Sequence, residues 1–266
     1  MSTTAIFGAG VMGEALLSGL LRSNDLNHTF IVAERRPERA VELSQKYGVS
    51  VMDNLAAAQQ ADTILLVVKP QDMDGLLTEI SSSLKSDALV ISLAAGITTA
   101  FLESRLPQGA SVVRVMPNTP ALVDEGMSAL SAGAHCDAEQ LARASALLAA
   151  VGKVVTVPEK YQDAVTAISG SGPAYIFYVV EAMIEAGVVL GLPRTTAHDL
   201  VVQTVVGAAT MLRETGEHPT VLRENVTSPA GTTAAALREL DDHKVRAAFI
   251  TAMEAARDRS RELAAG

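Results

Sequence analysis

Near the N-terminus of this chain of 266 residues stands Gly8-Ala9-Gly10-Val11-Met12-Gly13, a pattern suited to cradling phosphate. Gly8 permits a tight turn, Gly10 lets backbone approach a pyrophosphate, and Gly13 lets a following helix pack close to the preceding strand. The phosphates would then meet the free N–H groups and positive dipole end of that helix. The spacing predicts a nicotinamide dinucleotide site. Cofactor choice turns on Val32-Ala33-Glu34-Arg35-Arg36-Pro37. An acidic residue at Glu34 suits a ribose 2′-hydroxyl, whereas Arg35 and Arg36 suit a 2′-phosphate. The arginine pair favours NADPH, and Glu34 keeps NADH open.

Two further stretches could bind a carboxylate. Ser169-Gly170-Ser171-Gly172-Pro173-Ala174-Tyr175 and Ser228-Pro229-Ala230-Gly231-Thr232-Thr233 each precede a predicted helix. Both offer small residues, hydroxyls and unpaired helix N-terminal N–H groups, Ser171 among them. The five histidines are scattered, and no HExxH, paired-Asp loop or G-x-S-x-G elbow occurs. A hydride-transfer enzyme without a histidine relay suits a substrate whose reacting group is already protonated, such as an iminium.

The elements that must position these groups follow from periodicity. Up to about residue 157, short apolar runs (5–7, 30–32, 63–68, 89–93 and 111–116) alternate with helical stretches at 11–22, 37–47 and 138–150. The run Ile64-Leu65-Leu66-Val67-Val68 is continuously apolar, as in a strand covered on both faces. Alternation of this kind predicts an α/β Rossmann-type domain, a doubly wound parallel sheet, over residues 1–158. No strand is expected beyond. Residues 159–266 read as an all-helical substrate and dimerisation domain. Its helices start near Pro173, Thr195, Thr232 and Lys244, and several are apolar on more than one face. A domain this small buries only about 60% of its unfolded surface, so association with a second copy is expected.

Composition narrows the function classes. With 21 Lys+Arg against 30 Asp+Glu the chain carries −9, so no nucleic-acid partner is expected. A single cysteine, Cys136, excludes an internal disulfide and a multi-cysteine metal site, and no metal is expected. The N-terminus lacks the pattern of a secretory signal. The apolar stretch 175–192 is interrupted by Glu181 and Glu185, which argues against a membrane span. A cytoplasmic enzyme is the expectation.

Taken together and in order, the glycine loop, Val68-Lys69-Pro70-Gln71, Ala94-Ala95-Gly96, Met116-Pro117-Asn118-Thr119-Pro120, the SGSGPAY stretch and Asn225 to Leu237 resemble pyrroline-5-carboxylate reductase over nearly the whole chain. The resemblance implies hydride transfer from NADPH, with NADH possible, to the imine carbon of 1-pyrroline-5-carboxylate, giving L-proline. It also implies a homo-oligomer, either a dimer or a decamer of five dimers. Carried onto this chain, it places Gly8, Gly10, Val11, Met12 and Gly13 at the pyrophosphate and Asn54 at the adenosine ribose. Val67, Lys69, Pro70, Ala94, Ala95 and Gly96 would wall the nicotinamide, and Asn118 joins the cofactor side. Ser228, Ala230, Gly231, Thr232 and Thr233 would cradle the substrate carboxylate, with the Thr233 hydroxyl against the ring nitrogen. One departure stands out. The family commonly has a second glycine where this chain has Ala230, so a positive φ there would impose strain.

Overall fold

The structure, a computed structural model, describes residues 2–23 and 28–265; Met1, where the N-terminal reading begins, lies outside them. The chain forms two compact units, Met1–Ser171 with Ala256–Gly266, and Gly172–Ala255.

The first unit is built on an eight-stranded sheet of order β3-β2-β1-β4-β5-β6-β7-β8. Its strands are β1 Ser2–Phe7, β2 His28–Ala33, β3 Ser50–Met52, β4 Thr63–Leu66, β5 Leu89–Ser92, β6 Ser111–Met116, β7 Gly126–Ala132 and β8 Gly152–Thr156. The first six are parallel, β7 runs antiparallel to β6, and β8 is parallel to β7. The five expected strands are present. The short β3 and the last two strands were not anticipated, because Gly126–Ala132 and Gly152–Thr156 lack a continuous apolar run.

Strand residues alternate between two cores, as a pleated strand covered on both faces requires. Ile6, Leu65 and Ile91 face one side with Leu16, Leu17 and Leu20 of α1 (Val11–Arg22) and Leu43 of α2 (Pro37–Tyr47). Ala5, Phe7, Ile64, Leu66 and Val90 face the other. There they pack on Ala57 and Ala58 of α3 (Asn54–Gln60), Met73 and Leu77 of α4 (Pro70–Ile80), and Leu102 of α5 (Thr99–Arg105). The helix signals are local. Pro37 opens α2 at its first turn and Gly48, at φ 67°, closes it. α6 (Ala138–Leu148) starts on a capping box of Asp137 and Gln140.

The first unit runs past the boundary expected at 158/159. The segment after β8 is tied down to the sheet. Gln162, at the start of α7 (Gln162–Val165), is fully buried and donates to Ala129 O at 3.1 Å and Ser131 Oγ at 2.8 Å. Glu159 accepts from the Thr99 backbone N–H at 2.8 Å, the Thr99 hydroxyl at 2.5 Å and Arg114 Nη1 at 3.1 Å.

In the second unit lie α8 (Gly172–Val189), α9 (Arg194–Thr215), α10 (Pro219–Asn225) and α11 (Thr232–Asp242), with the first turns of α12 (Val245–Ala265). The expected helices are present; α10 is additional. A Cβ on Gly187 would lie 2.8 Å from the Ala197 Cβ, so small residues let α8 and α9 approach closely. Elsewhere α8 is uncovered. None of its residues is buried, and Ile176, Phe177, Tyr178 and Val189 are at least half exposed. By length and composition alone, the stretch Glu159–Val189 is apolar enough to cross a membrane.

The Glu159 contacts generate a prediction. Burial pushes this carboxyl up, but donation from Thr99 and the buried Arg114 outweighs it, so its pKa lies below the usual carboxylate value of 4.5. A depressed folded pKa gives stability that is full above the unfolded value and is lost as pH falls through the folded one. Glu159→Gln leaves Arg114 buried and uncompensated, at a cost of about 2–3 kcal/mol. The gap in melting temperature between wild type and variant should be constant near neutrality and narrow below about pH 4.5. A gap independent of pH down to 3.5 would remove the charge from the argument.

Candidate active site

All the sequence-expected cofactor residues lie beyond the carboxyl ends of the parallel strands of the first unit, where such sheets bind ligands. Gly8 leaves β1 at φ 92°, and a Cβ on it would meet Val67 O at 3.0 Å. Gly13 is fixed more tightly: its Cβ would lie 2.2 Å from the Gly8 carbonyl oxygen. Gly10 differs from both. It is the N-cap of α1 at φ −72°, without a side-chain cap, and a Cβ there would meet nothing within 4 Å. Two glycines thus shape the loop, and the third leaves open the space in front of the helix. Val11 is 70% exposed beside it, and Met12 packs against the core. A backbone cradle with an open front, at an uncapped helix start, fits a dinucleotide pyrophosphate.

Beside the loop lies a cleft of about 430 Å³ lined by Gly8, Glu34, Arg35, Asn54, Asp72 and Leu76 among others. Asn54 is buried and donates from Nδ2 to Glu79 Oε2 at 2.9 Å; the same oxygen accepts from Arg35. Arg36 turns instead to Glu34, at 3.1 Å from Nε to Oε1 and 2.9 Å from Nη2 to Oε2. This pairing holds the Glu34 carboxyl below the usual range. Arg35 therefore lines the cleft with Asn54, and Arg36 is committed to Glu34.

The remaining rim follows the same strand ends. The Val67 N–H donates to Phe7 O at 2.8 Å, Lys69 is the N-cap of α4, and Pro70 occupies its first turn. After β5, Ala94 is buried, Ala95 is exposed, and Gly96 turns the chain at φ 77°. Asn118 follows β6. Its amide donates to Ser169 O at 3.1 Å and accepts from the Met127 N–H at 2.8 Å, so the side chain clamps two segments together.

Sequence alone did not single out Arg39 and Glu79. Arg39 Nε and Nη2 both reach Ala9 O at 3.3 Å, bracing the glycine loop from behind. Glu14 and Glu42 hold Arg39 in turn. Lys46, Arg39 and Tyr47 together outweigh burial and keep the Glu14 carboxyl near pKa 2. Glu79 had a faint signal, since Asp72, Gly75, Leu76 and Glu79 share one face of α4 by spacing.

The two stretches expected to bind a carboxylate differ. The first is not an open loop. Residues Thr166–Gly170 form a π-helical turn that runs almost directly into α8, and the Ser171 N–H donates to Thr166 O at 2.8 Å. Ser171 thus offers no free backbone donor. Its hydroxyls are engaged as well: Thr166 Oγ1 and Ser169 Oγ bond back to the carbonyls of Gln162 and Val165 within the helical segment.

The second stretch, in the helical unit, keeps its donors. The Gly231 N–H bonds Ser228 O at 3.0 Å with Pro229 and Ala230 between them, and Ala230 has φ 57°. Proline followed by positive φ is the signature of a type II turn. The expected strain at Ala230 is therefore present. Gly231 caps α11 with no side-chain hydrogen bond, and a Cβ on it would lie 2.5 Å from Ser228 Oγ. Thr232 is exposed and Thr233 partly so, both in the uncapped first turn.

This geometry can be set beside known proteins. A family model described as pyrroline-5-carboxylate reductase dimerisation matches residues 159–263, and one described as NADP oxidoreductase, coenzyme F420-dependent, matches residues 3–96. The chain is 50% identical to pyrroline-5-carboxylate reductase of Corynebacterium melassecola, over 99% of both chains. The chain belongs to the pyrroline-5-carboxylate reductase family. To the enzyme of Mycobacterium tuberculosis it is 44% identical over 99% of this chain and 97% of the relative. Among solved structures, a pyrroline-5-carboxylate reductase from Coxiella burnetii matches with a TM-score of 0.94 at 38% identity, covering 98% of each chain. A Plasmodium falciparum pyrroline carboxylate reductase with NADP bound matches at 0.86 and 30% identity, covering 99% of this chain and 98% of the other. The protein is an oxidoreductase that reduces 1-pyrroline-5-carboxylate to proline with a nicotinamide cofactor.

Two predictions follow from the loops. Gly10→Ala meets no clash, and the lower entropy of its unfolded chain offsets the poorer N-cap, so it should melt within a few degrees of wild type. Its methyl group intrudes where backbone must approach phosphate, so NADPH should bind at least about tenfold more weakly, or 1.4 kcal/mol, by calorimetry. A variant that binds NADPH normally would show that the open space is unused. At position 230, the left-handed backbone costs a non-glycine residue about 1–2 kcal/mol. Ala230→Gly should melt no lower than wild type, while Ala230→Val should melt several degrees lower. The reverse order would mean the turn relaxes.

Proposed function

We propose that the glycine loop and cleft of the first unit hold the cofactor, with NADPH preferred, and that the first turn of α11 holds the imine carboxylate. The observation that carries the second half is the uncapped start of α11, set up by a strained turn and offering backbone donors with no side chain of the chain itself to satisfy them. Orphan donors at a positive dipole end are a ready site for a small carboxylate. Ser228, Ala230, Gly231 and Thr232 would shape that cradle, and the Thr233 hydroxyl would accept from the protonated ring nitrogen. When bound, the dihydronicotinamide supplies the hydride.

The chain's own work is then binding and orientation. A protonated cyclic imine is already electrophilic, and holding it in a reactive geometry can lower the barrier by roughly 7–11 kcal/mol. No proton need be delivered to nitrogen, which suits a site built from hydroxyls, alanines and backbone. Val67, Lys69, Pro70 and Ala94 to Gly96 would flank the nicotinamide. Asn118, fixed by its two hydrogen bonds, would act by holding the Ser169 segment. The functional division would follow the sequence, with dinucleotide binding in 1–158 and substrate binding and dimerisation in 159–266.

The NADPH preference rests on Arg35 in the cleft. Glu34, the competing signal for NADH, is neutralised by Arg36. The uncovered apolar surface of α8 is read as the contact between two copies in a cytoplasmic homodimer, or in a decamer built from such dimers, and not as a membrane span. Glu181 and Glu185 on that helix would be costly in hydrocarbon. Static light scattering at micromolar concentration should give a dimer or a multiple of it; a monomer would overturn this assignment.

Thr233→Val tests the site. It keeps the branched shape and removes only the hydroxyl. Loss of a hydrogen bond to a charged nitrogen costs about 1.5–3 kcal/mol, or roughly 10–150-fold in kcat/KM for the imine. No side chain caps α11, so melting temperature should hold, and NADPH affinity should hold as well. Full kcat/KM in the folded variant would take Thr233 out of the mechanism.

A further inference from the structure

We propose that Glu79 sets the cofactor preference of this enzyme by competing with the 2′-phosphate for Arg35. The proposal rests on the assignment of Arg35 as the 2′-phosphate contact. In the structure neither candidate arginine is unengaged. Arg36 is held by Glu34, and Arg35 is held by Glu79, a residue 44 positions away on α4. The Glu79 oxygen that receives Arg35 also receives Asn54 Nδ2 at 2.9 Å. One carboxylate thus ties the cleft's cation to its buried amide.

The charge balance of the cleft gives this contact its consequence. Glu34, Asp72 and Arg35 line it, with Glu79 paired to Arg35 and Arg36 paired to Glu34. A dinucleotide with only a 2′-hydroxyl adds no charge here and can enter with both ion pairs intact. A 2′-phosphate adds about two negative charges. To gain Arg35 it must break the pair with Glu79 and leave that carboxylate beside the phosphate. Asn54 constrains the alternative, because it keeps the carboxylate in place after the arginine leaves. Glu79 therefore taxes NADPH selectively, and the enzyme uses both cofactors with a narrower preference than the two arginines alone would give.

The partly exposed position limits the size of the effect. The Glu79 side chain is 35% exposed and that of Arg35 71%. An exposed ion pair is typically worth up to about 1 kcal/mol, or about fivefold. Adding phosphate–carboxylate repulsion, a shift of about three- to tenfold is expected.

Glu79→Gln is the appropriate change, since its amide oxygen can still accept from Asn54 while the charge is gone. Two readouts are compared in wild type, Glu79→Gln, Arg35→Ala and the double variant of the full chain. The first is the ratio of kcat/KM with NADPH to that with NADH, at saturating 1-pyrroline-5-carboxylate. The second is the ratio of dissociation constants for 5′-AMP and adenosine 2′,5′-bisphosphate, which differ only in the 2′-phosphate and carry no nicotinamide. Glu79→Gln should move both ratios about three- to tenfold toward the 2′-phosphate, and the shift should vanish in the Arg35→Ala background. Unchanged ratios in Glu79→Gln, with a loss of preference in Arg35→Ala, would overturn the role of Glu79 and leave Arg35 standing. A shift that persists without Arg35 would overturn the competition. Ratios unmoved by Arg35→Ala would overturn the assignment of Arg35, and the proposal with it.

Discussion

Helix α1 leaves β1 so closely that a Cβ on Gly13 would lie 2.2 Å from the Gly8 carbonyl oxygen. That contact leaves no room for any side chain, and much of the first unit is arranged around it. It sets the helix start at the strand end, at the switch point between the paired strands β1 and β4, where the strand order reverses. It also forces Gly8 into a conformation that side chains rarely adopt. Arg39 then secures the one peptide left between the two constraints by bonding Ala9 O. In a trans peptide the carbonyl and the next N–H point in opposite directions. Holding Ala9 O from behind therefore turns the Gly10 N–H forward, toward the open space.

Electrostatics in this unit are arranged as matched pairs and not as a basic patch. Glu14 and Glu42 with Arg39 and Lys46, Glu34 with Arg36, and Glu79 with Arg35 each cancel locally. An acidic protein can thus bind an anionic dinucleotide without a positive surface. With the cofactor at the proposed glycine loop, the attraction would come from oriented backbone N–H groups, which cost no reorganisation when the ligand arrives. On the proposed assignment, the paired side chains would decide which dinucleotide is accepted.

What the sequence disclosed depends on how local each cause is. The glycine loop was legible because its requirements are backbone requirements, written in three residues. The buried parallel strands were legible because both faces are covered and the apolar run is unbroken, as in Thr63–Leu66. β7 and β8 were not, since Gly126–Ala132 is mostly small residues and β8 is largely uncovered. The SGSG stretch misled for a related reason. Small residues signal a loop, but here serine and threonine hydroxyls bond to preceding carbonyls within a π-helical turn. Arg35–Glu79 and Arg39–Ala9 were illegible because they join residues 44 and 30 positions apart, and nothing in a linear pattern pairs them.

The two units show opposite solutions to presenting donors. In the first, a helix start is exposed by removing side chains. In the second, α11 is exposed by breaking two local rules within two residues. Ala230 occupies a left-handed conformation, and Gly231 fills a cap position that serine or aspartate would satisfy better. Glycine at the cap costs a few tenths of a kcal/mol relative to serine or aspartate, and the backbone strain about 1–2 kcal/mol. Neither is repaid within the helix, whose buried residues are none in the single chain. Asp53, Thr98 and Asp137 cap α3, α5 and α6, whereas α11 shares with α1 a glycine start without a side-chain cap. Asp124 and Lys244 also take positive φ, so what sets this turn apart is the coincidence of a strained residue with an open helix start, the combination on which the proposed carboxylate site rests. On the proposed assignment, a capping carboxylate at residue 231 would compete for the same N–H groups as the substrate carboxylate, which gives the open helix start its reason.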